Sequence, residues 1–226
     1  AMVKFAHGIL TPEKHVKSAD VNFPMLPNST LLRLKERELS AESFDYLSVV
    51  GSLLHFTNCM RPDIAFAVGV LARHSLAPGK AHVRAARRVV MYLYNTRHLK
   101  IVYRRPDELG GRNVPVMHEG AKHPLDNGLN RLQVFADSDY AGDETRKSTY
   151  GRIVMMNGGP IAWSSTLGKT VATSTCEAEI HAAVLAVKDA VHIKRLLKDL
   201  ELIKDAQPLE IAEDNAACIA QANSGI

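Results

Sequence analysis

The stretch 134-VFADSDYAGD-143 constrains the fold of this chain more than any other. Val134 and Phe135 begin an apolar run that breaks at once into Asp137, Asp139 and Asp143. A buried strand tolerates carboxylates at its end only when cations or hydrogen-bond donors meet them. Gly142 also suits a plain Asp-rich turn after a strand, so this stretch alone leaves both readings open. Two further acidic spots bear on the choice. One is 174-STCEAEI-180, where a long helical pattern starts. The other is 211-IAEDNAA-217, where a short apolar strand ends.

The elements between these spots follow from local pattern. The runs 132-LQVFADS-138, 150-YGRIVMMNG-158 and 160-PIAWSST-166 read as strands, and the Asn157-Gly158-Gly159 turn joins the last two as a hairpin. A long helix is predicted from about Thr175 to Leu200, then a strand at 208-PLEIAE-213 and a helix starting near Asn215. The order is β-β-β-α-β-α, an α/β mixed sheet in which the first and fourth strands are natural parallel neighbours. Their ends and the start of the long helix can then meet at one point. Carboxylates gathered there repel unless a cation intervenes. Hard oxygen ligands of this kind suit Mg²⁺, which binds few protein carboxylates and keeps several waters.

Spacing leaves the choice of acids partly open. Ser174-x-x-Glu177 is a capping-box pattern, which gives Glu177 a helix-start role and leaves Glu179 the freer ligand. Helical periodicity does not decide, because the expected apolar face of Ile180, Val184, Val187 and Val191 has both acids on its flanks. Asp137 and Asp139 share a strand face, so both are candidates. Glu213 and Asp214 point opposite ways, with Asp214 nearer the helix start.

Upstream, residues 1–104 form a polar arm followed by three helical patterns. The first starts near Phe44. The second is 64-IAFAVGVLARHS-75, with Asp63 as its expected cap, and the third is 81-AHVRAARRVVMYLYN-95. The third has an apolar face of Val83, Ala86, Val90 and Leu93, with Arg84, Arg87 and Arg88 opposite. Residues 105–131 are rich in Gly, Pro and Asn and read as a long loop, with a short strand at Val114–Met117. Residues 132–226 make the α/β domain. From Ile64 to Pro106 there are nine basic and no acidic residues, whereas the rest of the chain holds 19 basic and 24 acidic ones. A basic stretch without acidic partners suits a polyanion, and Arg84, Arg87, Arg88 and, more weakly, Lys169 are the candidate phosphate contacts. The alternative for the arginines is ordinary solvation. Cys59, Cys176 and Cys218 form no CxxC pair, which argues against a zinc ribbon or disulfide scaffold and for a reducing, cytoplasmic setting. No apolar run approaches the length of a membrane helix.

Taken together, FADSDYAGD, RKSTYGRIVMMNGGPIAWSS, KTVATSTCEAEIHAA and IAEDNAACI resemble, in that order, the ribonuclease H domain of copia-type retrotransposon polyproteins. The stretch 46-YLSVVGSLLHFTNCMRPDIAFAVGVLAR-73 resembles the segment linking reverse transcriptase to that domain. The resemblance implies an RNase H-like fold and hydrolysis of the RNA strand of RNA/DNA hybrids with two Mg²⁺ ions, Mn²⁺ being the natural substitute. It implies the reverse transcriptase core of the same polyprotein as a partner, and a cytoplasmic setting in virus-like particles. It assigns the catalytic, metal-binding roles to Asp137, Glu179 and Asp214, with Asp137 bridging both ions. The sequence departs from the family at Ile180, where a Tyr is usual, and at Cys176, where a Thr is usual. The family's fourth metal-binding acid, with its nearby His, follows the last helix matched here, beyond Ile226. Without that ligand one metal position is expected to be weaker, and the alternative is an inactive RNase H-like fragment serving as a nucleic-acid-binding or interaction module.

Overall fold

The computed structural model of the chain describes residues 21–26, 31, 44–104, 132–203 and 209–224. The expected loop at 105–131, its short strand and most of the N-terminal arm lie outside the described residues. The chain divides into two units, residues 1–100 with 141–147, and residues 101–140 with 148–226.

The first unit is helical. Asp45 caps helix α1 (Tyr46–Cys59) by accepting from the Ser48 N–H at 3.1 Å. Pro62–Ile64 form a single 3₁₀ turn that leads into α2 (Ala65–Ala72), and α3 spans Lys80–Asn95. Asp63 does not cap α2 as expected. Its carboxylate instead receives Arg61 Nε and Nη2 at 2.9 and 2.7 Å and the Tyr92 hydroxyl at 2.9 Å. A bidentate guanidinium outcompetes a single backbone N–H for the same oxygens. Arg61 also donates to Thr96 Oγ1 at 2.7 Å, so a buried charge is fully met. Val50 and Leu53 of α1, Val68 and Leu71 of α2, and Val83, Ala86, Val89, Val90 and Leu93 of α3 close one core, which Val21 of the arm extends. In the 141–147 turn, Asp143 pairs with Arg73 at 3.0 Å and accepts from Thr145.

The second unit has the order β1 (Leu132–Asp139), β2 (Thr149–Met156), β3 (Gly159–Leu167), α4 (Thr175–Asp199), β4 (Glu210–Ala212) and α5 (Ala216–Ser224). This is the β-β-β-α-β-α order expected. The sheet runs β3-β2-β1-β4, antiparallel except for the parallel β1–β4 pair. Asn157 (φ 54°) and Gly158 (φ 82°) make the two-residue turn between β2 and β3, as that dipeptide predicts. Gly168 lets the chain pass close under Tyr150, since a Cβ there would meet the phenol oxygen at 3.0 Å.

The long helix does not turn its valines to the sheet. Ala178, Ala182, Ala186 and Ala190 are fully buried against β1 and β2, while Val184 and Val187 are exposed. A stripe of alanines at a spacing of four lets the helix axis sit close to the β1–β2 face, where Leu132, Val134, Ala136, Tyr150 and Val154 fill the space. Arg152 on the same face of β2 reaches Asp189 of α4 at 2.5 Å. Among the described residues no helix is long and apolar enough to cross a membrane.

Candidate metal centre

The alanine stripe decides which acid of 177-EAE-179 turns inward. Glu179 flanks Ala178 and Ala182 and is 7 % exposed. Glu177 lies outward, where its carboxylate receives the Thr173 N–H at 2.6 Å and the Thr173 hydroxyl at 2.5 Å. Ser174 Oγ accepts from the Glu177 N–H at 3.1 Å, so half of the capping box forms as expected. The other half is displaced by one residue, because the Glu reaches Thr173 rather than the cap's own N–H. The Thr173 hydroxyl and N–H hold the Glu177 carboxyl below its usual range.

Strand register brings the remaining acids in. Phe135 pairs with Ala212 in the parallel β1–β4 ladder. Two further steps along both chains set Asp214 beside Asp137. One carboxylate oxygen from each of Asp137, Glu179 and Asp214 lies within 4.8 Å of the others. Asp137 and Asp214 are exposed and Glu179 is buried, so the group opens to solvent on one side. Asp139, the further candidate on β1, is exposed and does not belong to this group, and Asp143 is committed to Arg73 and Thr145.

Burial pushes the Glu179 carboxyl up to about 6. The Ser138 hydroxyl acts the other way, and Glu213, Asp137 and Asp214 add repulsion, Glu213 the most among the three. Glu179 Oε2 is buried with no hydrogen-bond partner. A deeply buried carboxylate oxygen without a donor, facing other acids, is unfavourable in the protein alone. All the donors gathered here are hard oxygens, and a divalent cation such as Mg²⁺ or Mn²⁺ fits them.

Glu213 is the residue that pattern reading undervalued. It is half-buried, Oε1 accepts from the Asn215 N–H at 3.1 Å, and Oε2 is buried without a partner. Burial raises its carboxyl, the Asn215 and Asp214 N–H groups offset this in part, and the Asp214 and Asp137 carboxylates raise it further. The signal was present in 213-ED-214, two acids in succession at a strand end, but alternation assigned only one of them to the centre. The buried Cys218 thiol of α5 stands by the same acids, raised by burial and by Glu213.

The proposed phosphate contacts divide between the units. Arg84 on α3 is exposed, Arg87 lies over the Phe44 ring at 5.1 Å, and Arg88 Nε donates to the Phe23 carbonyl at 3.2 Å. Lys169 is exposed between β3 and α4.

No family model matches the chain, and no solved structure matches it. Among curated proteins it is 37 % identical, over 158 residues, to the Retrovirus-related Pol polyprotein from transposon TNT 1-94 of Nicotiana tabacum, covering 70 % of this chain and 10 % of that protein. The Retrovirus-related Pol polyprotein from transposon RE1 of Arabidopsis thaliana is 28 % identical over 218 residues, 95 % of this chain and 13 % of its own length. Secreted RxLR effector protein 161 of Plasmopara viticola is 34 % identical over 147 residues, 65 % of this chain and 89 % of its own length. The chain thus spans about a tenth of the polyproteins it matches.

Proposed function

We propose that this chain, which belongs to the family of Secreted RxLR effector protein 161 and is similar to retrotransposon Pol polyproteins, hydrolyses the RNA strand of RNA/DNA hybrids in the manner of a copia-type ribonuclease H. The observation that carries the reading is the gathering of Asp137, Glu179 and Asp214 within 4.8 Å, with a buried, unpartnered oxygen on Glu179. Bound divalent ions, Mg²⁺ or Mn²⁺, supply Lewis acidity and an activated water in such a site. The chain's own residues do the rest. Asp137, at the end of β1, and Asp214, just past β4, offer oxygens from the solvent side, where a phosphodiester can approach. Glu179 offers one from beneath, held by the α4–sheet packing. Exposed Arg84 and Lys169 are the candidate contacts to backbone phosphates, while Arg87 and Arg88 already have partners beside α1 and in the arm. The 2′-hydroxyls of the RNA strand distinguish it from DNA. The reverse transcriptase of the same polyprotein is the natural partner, since it makes the hybrid.

The test is cleavage of an end-labelled RNA/DNA hybrid with and without Mg²⁺. Asp137→Asn is expected to abolish metal-dependent cleavage while keeping the fold. Cleavage at the wild-type rate by that variant would overturn the reading. One observation favours a second reading, an interaction module without turnover. The chain matches 89 % of Secreted RxLR effector protein 161, so a protein of little more than this stretch exists outside a polyprotein. Salt-dependent hybrid binding with no cleavage at any Mg²⁺ concentration favours that alternative.

A further inference from the structure

We infer that Glu213 is a positioning carboxylate of the same centre, one that accepts from water bound to the divalent cation held by Asp137, Glu179 and Asp214. The inference rests on the proposed reading of that centre and assigns a fourth acid within this chain to it. Three observations converge. The β1–β4 register, carried one step past Phe135 and Ala212, sets Glu213 beside Ala136, whose side chain is buried in the core that α4 covers. Glu213 therefore lies on the α4 side of the sheet, the side on which Glu179 is buried. Its Oε1 is used by the Asn215 N–H at 3.1 Å, while Oε2 is buried and has no donor. Glu179, 7 % exposed, likewise has an unpartnered Oε2 in the same cluster.

A buried carboxylate oxygen needs a donor, and the neighbouring carboxylates supply none to Oε2 while ionised. Glu213 is not in the set whose oxygens lie within 4.8 Å of one another, so direct ligation is not its role. Water on a cation held by the other three is a donor of the required kind, and carboxylates one shell out orient such waters and tune the metal. The structural competitor is that Glu213 only tethers the Asn215 N–H, whose residue in turn caps α5 by accepting from the Cys218 N–H at 3.0 Å.

The experiment is a Mn²⁺ titration of the whole chain followed by electron paramagnetic resonance of free Mn²⁺, paired with thermal melts in EDTA at pH 8. Glu213→Ala is expected to weaken Mn²⁺ binding about 10-fold, the usual scale for an outer-shell partner. Glu213→Gln keeps an acceptor for the Asn215 N–H but not the charge. It should weaken Mn²⁺ binding in the same direction and melt higher than wild type in EDTA, because repulsion is relieved. A purely tethering role predicts the same gain in the melt but wild-type Mn²⁺ affinity in Glu213→Gln, so the affinity decides. Wild-type affinity in Glu213→Gln, with binding lost in Asp137→Asn, overturns the role of Glu213 alone. Absence of Mn²⁺ binding by the wild-type chain overturns the centre itself and this inference with it. Should Glu213→Ala fail to fold, Glu213→Gln decides.

Discussion

Arg61 in the helical unit is 4 % exposed, and Glu179 in the sheet unit is 7 % exposed. The two buried charges are treated in opposite ways. Arg61 has Asp63, Thr96 and the face of the Tyr92 ring around it. Glu179 has an oxygen with no hydrogen-bond partner, and the charges near it are of its own sign. Local chemistry explains the first arrangement as a stabilising one, since a met charge locks α3 to the 3₁₀ turn. The second is unfavourable as it stands and becomes favourable only when something positive arrives. A buried charge with its partners built in serves architecture, whereas one short of donors is the kind of group that the proposed cation site requires.

This contrast can be broken at several points. The largest effect is expected at Arg61. Arg61→Met leaves Asp63 and the Tyr92 hydroxyl without their cation and should cost about 3–5 kcal/mol in urea unfolding at pH 7. Asp63 is held below its usual range, against burial, by Arg61 and then the Tyr92 hydroxyl. The pair's contribution is thus present above the ordinary carboxylate range and is lost as pH falls through the lowered value. A loss under about 1 kcal/mol in Arg61→Met would mean that the pair is as weak as a surface one.

Packing comes next. Ala182→Leu should overpack the α4–sheet contact and destabilise by about 1–3 kcal/mol. Val184→Ser, on the exposed side of the same helix, should stay within about 0.5 kcal/mol. Equal effects from the two would show that the alanine stripe does not set the helix–sheet distance.

Glu179 should respond with the opposite sign to Arg61. Its carboxyl is raised to about 6 in the folded chain, against an ordinary value near 4.5. A raised carboxyl favours the folded state while protonated. That advantage is present below about 4.5 and is lost as pH rises through about 6. Metal-free protein should therefore lose up to about 2 kcal/mol between these values. Glu179→Gln should not show this loss in EDTA, and Mg²⁺ should restore stability at pH 7 only in the wild type. A flat wild-type pH profile would remove the contrast with Arg61.

The smallest effect is expected at Arg84. It is exposed on α3, so Arg84→Ala should leave the melt unchanged. If it meets a phosphate, the slope of log affinity for hybrid against log salt should flatten by about 0.7–0.9. An unchanged slope would leave this arginine to solvent alone.

Much of this molecule is legible in the residues themselves, because the signals are local. Asn157-Gly158 demands positive φ at two successive positions, Ser174 offers an oxygen to the next turn, and apolar alternation ends where Asp137 begins. Such preferences need only a few neighbouring residues to act. The element order and the parallel β1–β4 pair followed from them, and so did the prospect that acids at three element ends could meet. Other features required the assembled sheet. Volume, not hydrophobicity, chose the face of α4, so alanines rather than valines went inward and carried Glu179 with them. Distance in the folded chain left Asp139 outside the acidic group and put Glu213 among the neighbours of Glu179. Competition for a carboxylate took Asp63 from the start of α2 and gave it to Arg61 and Tyr92. In each case the outcome depends on which groups, distant along the chain, arrive at the same few ångströms. Pattern along a sequence does not carry that information, because burial, repulsion and hydrogen-bond competition are set by distance in space.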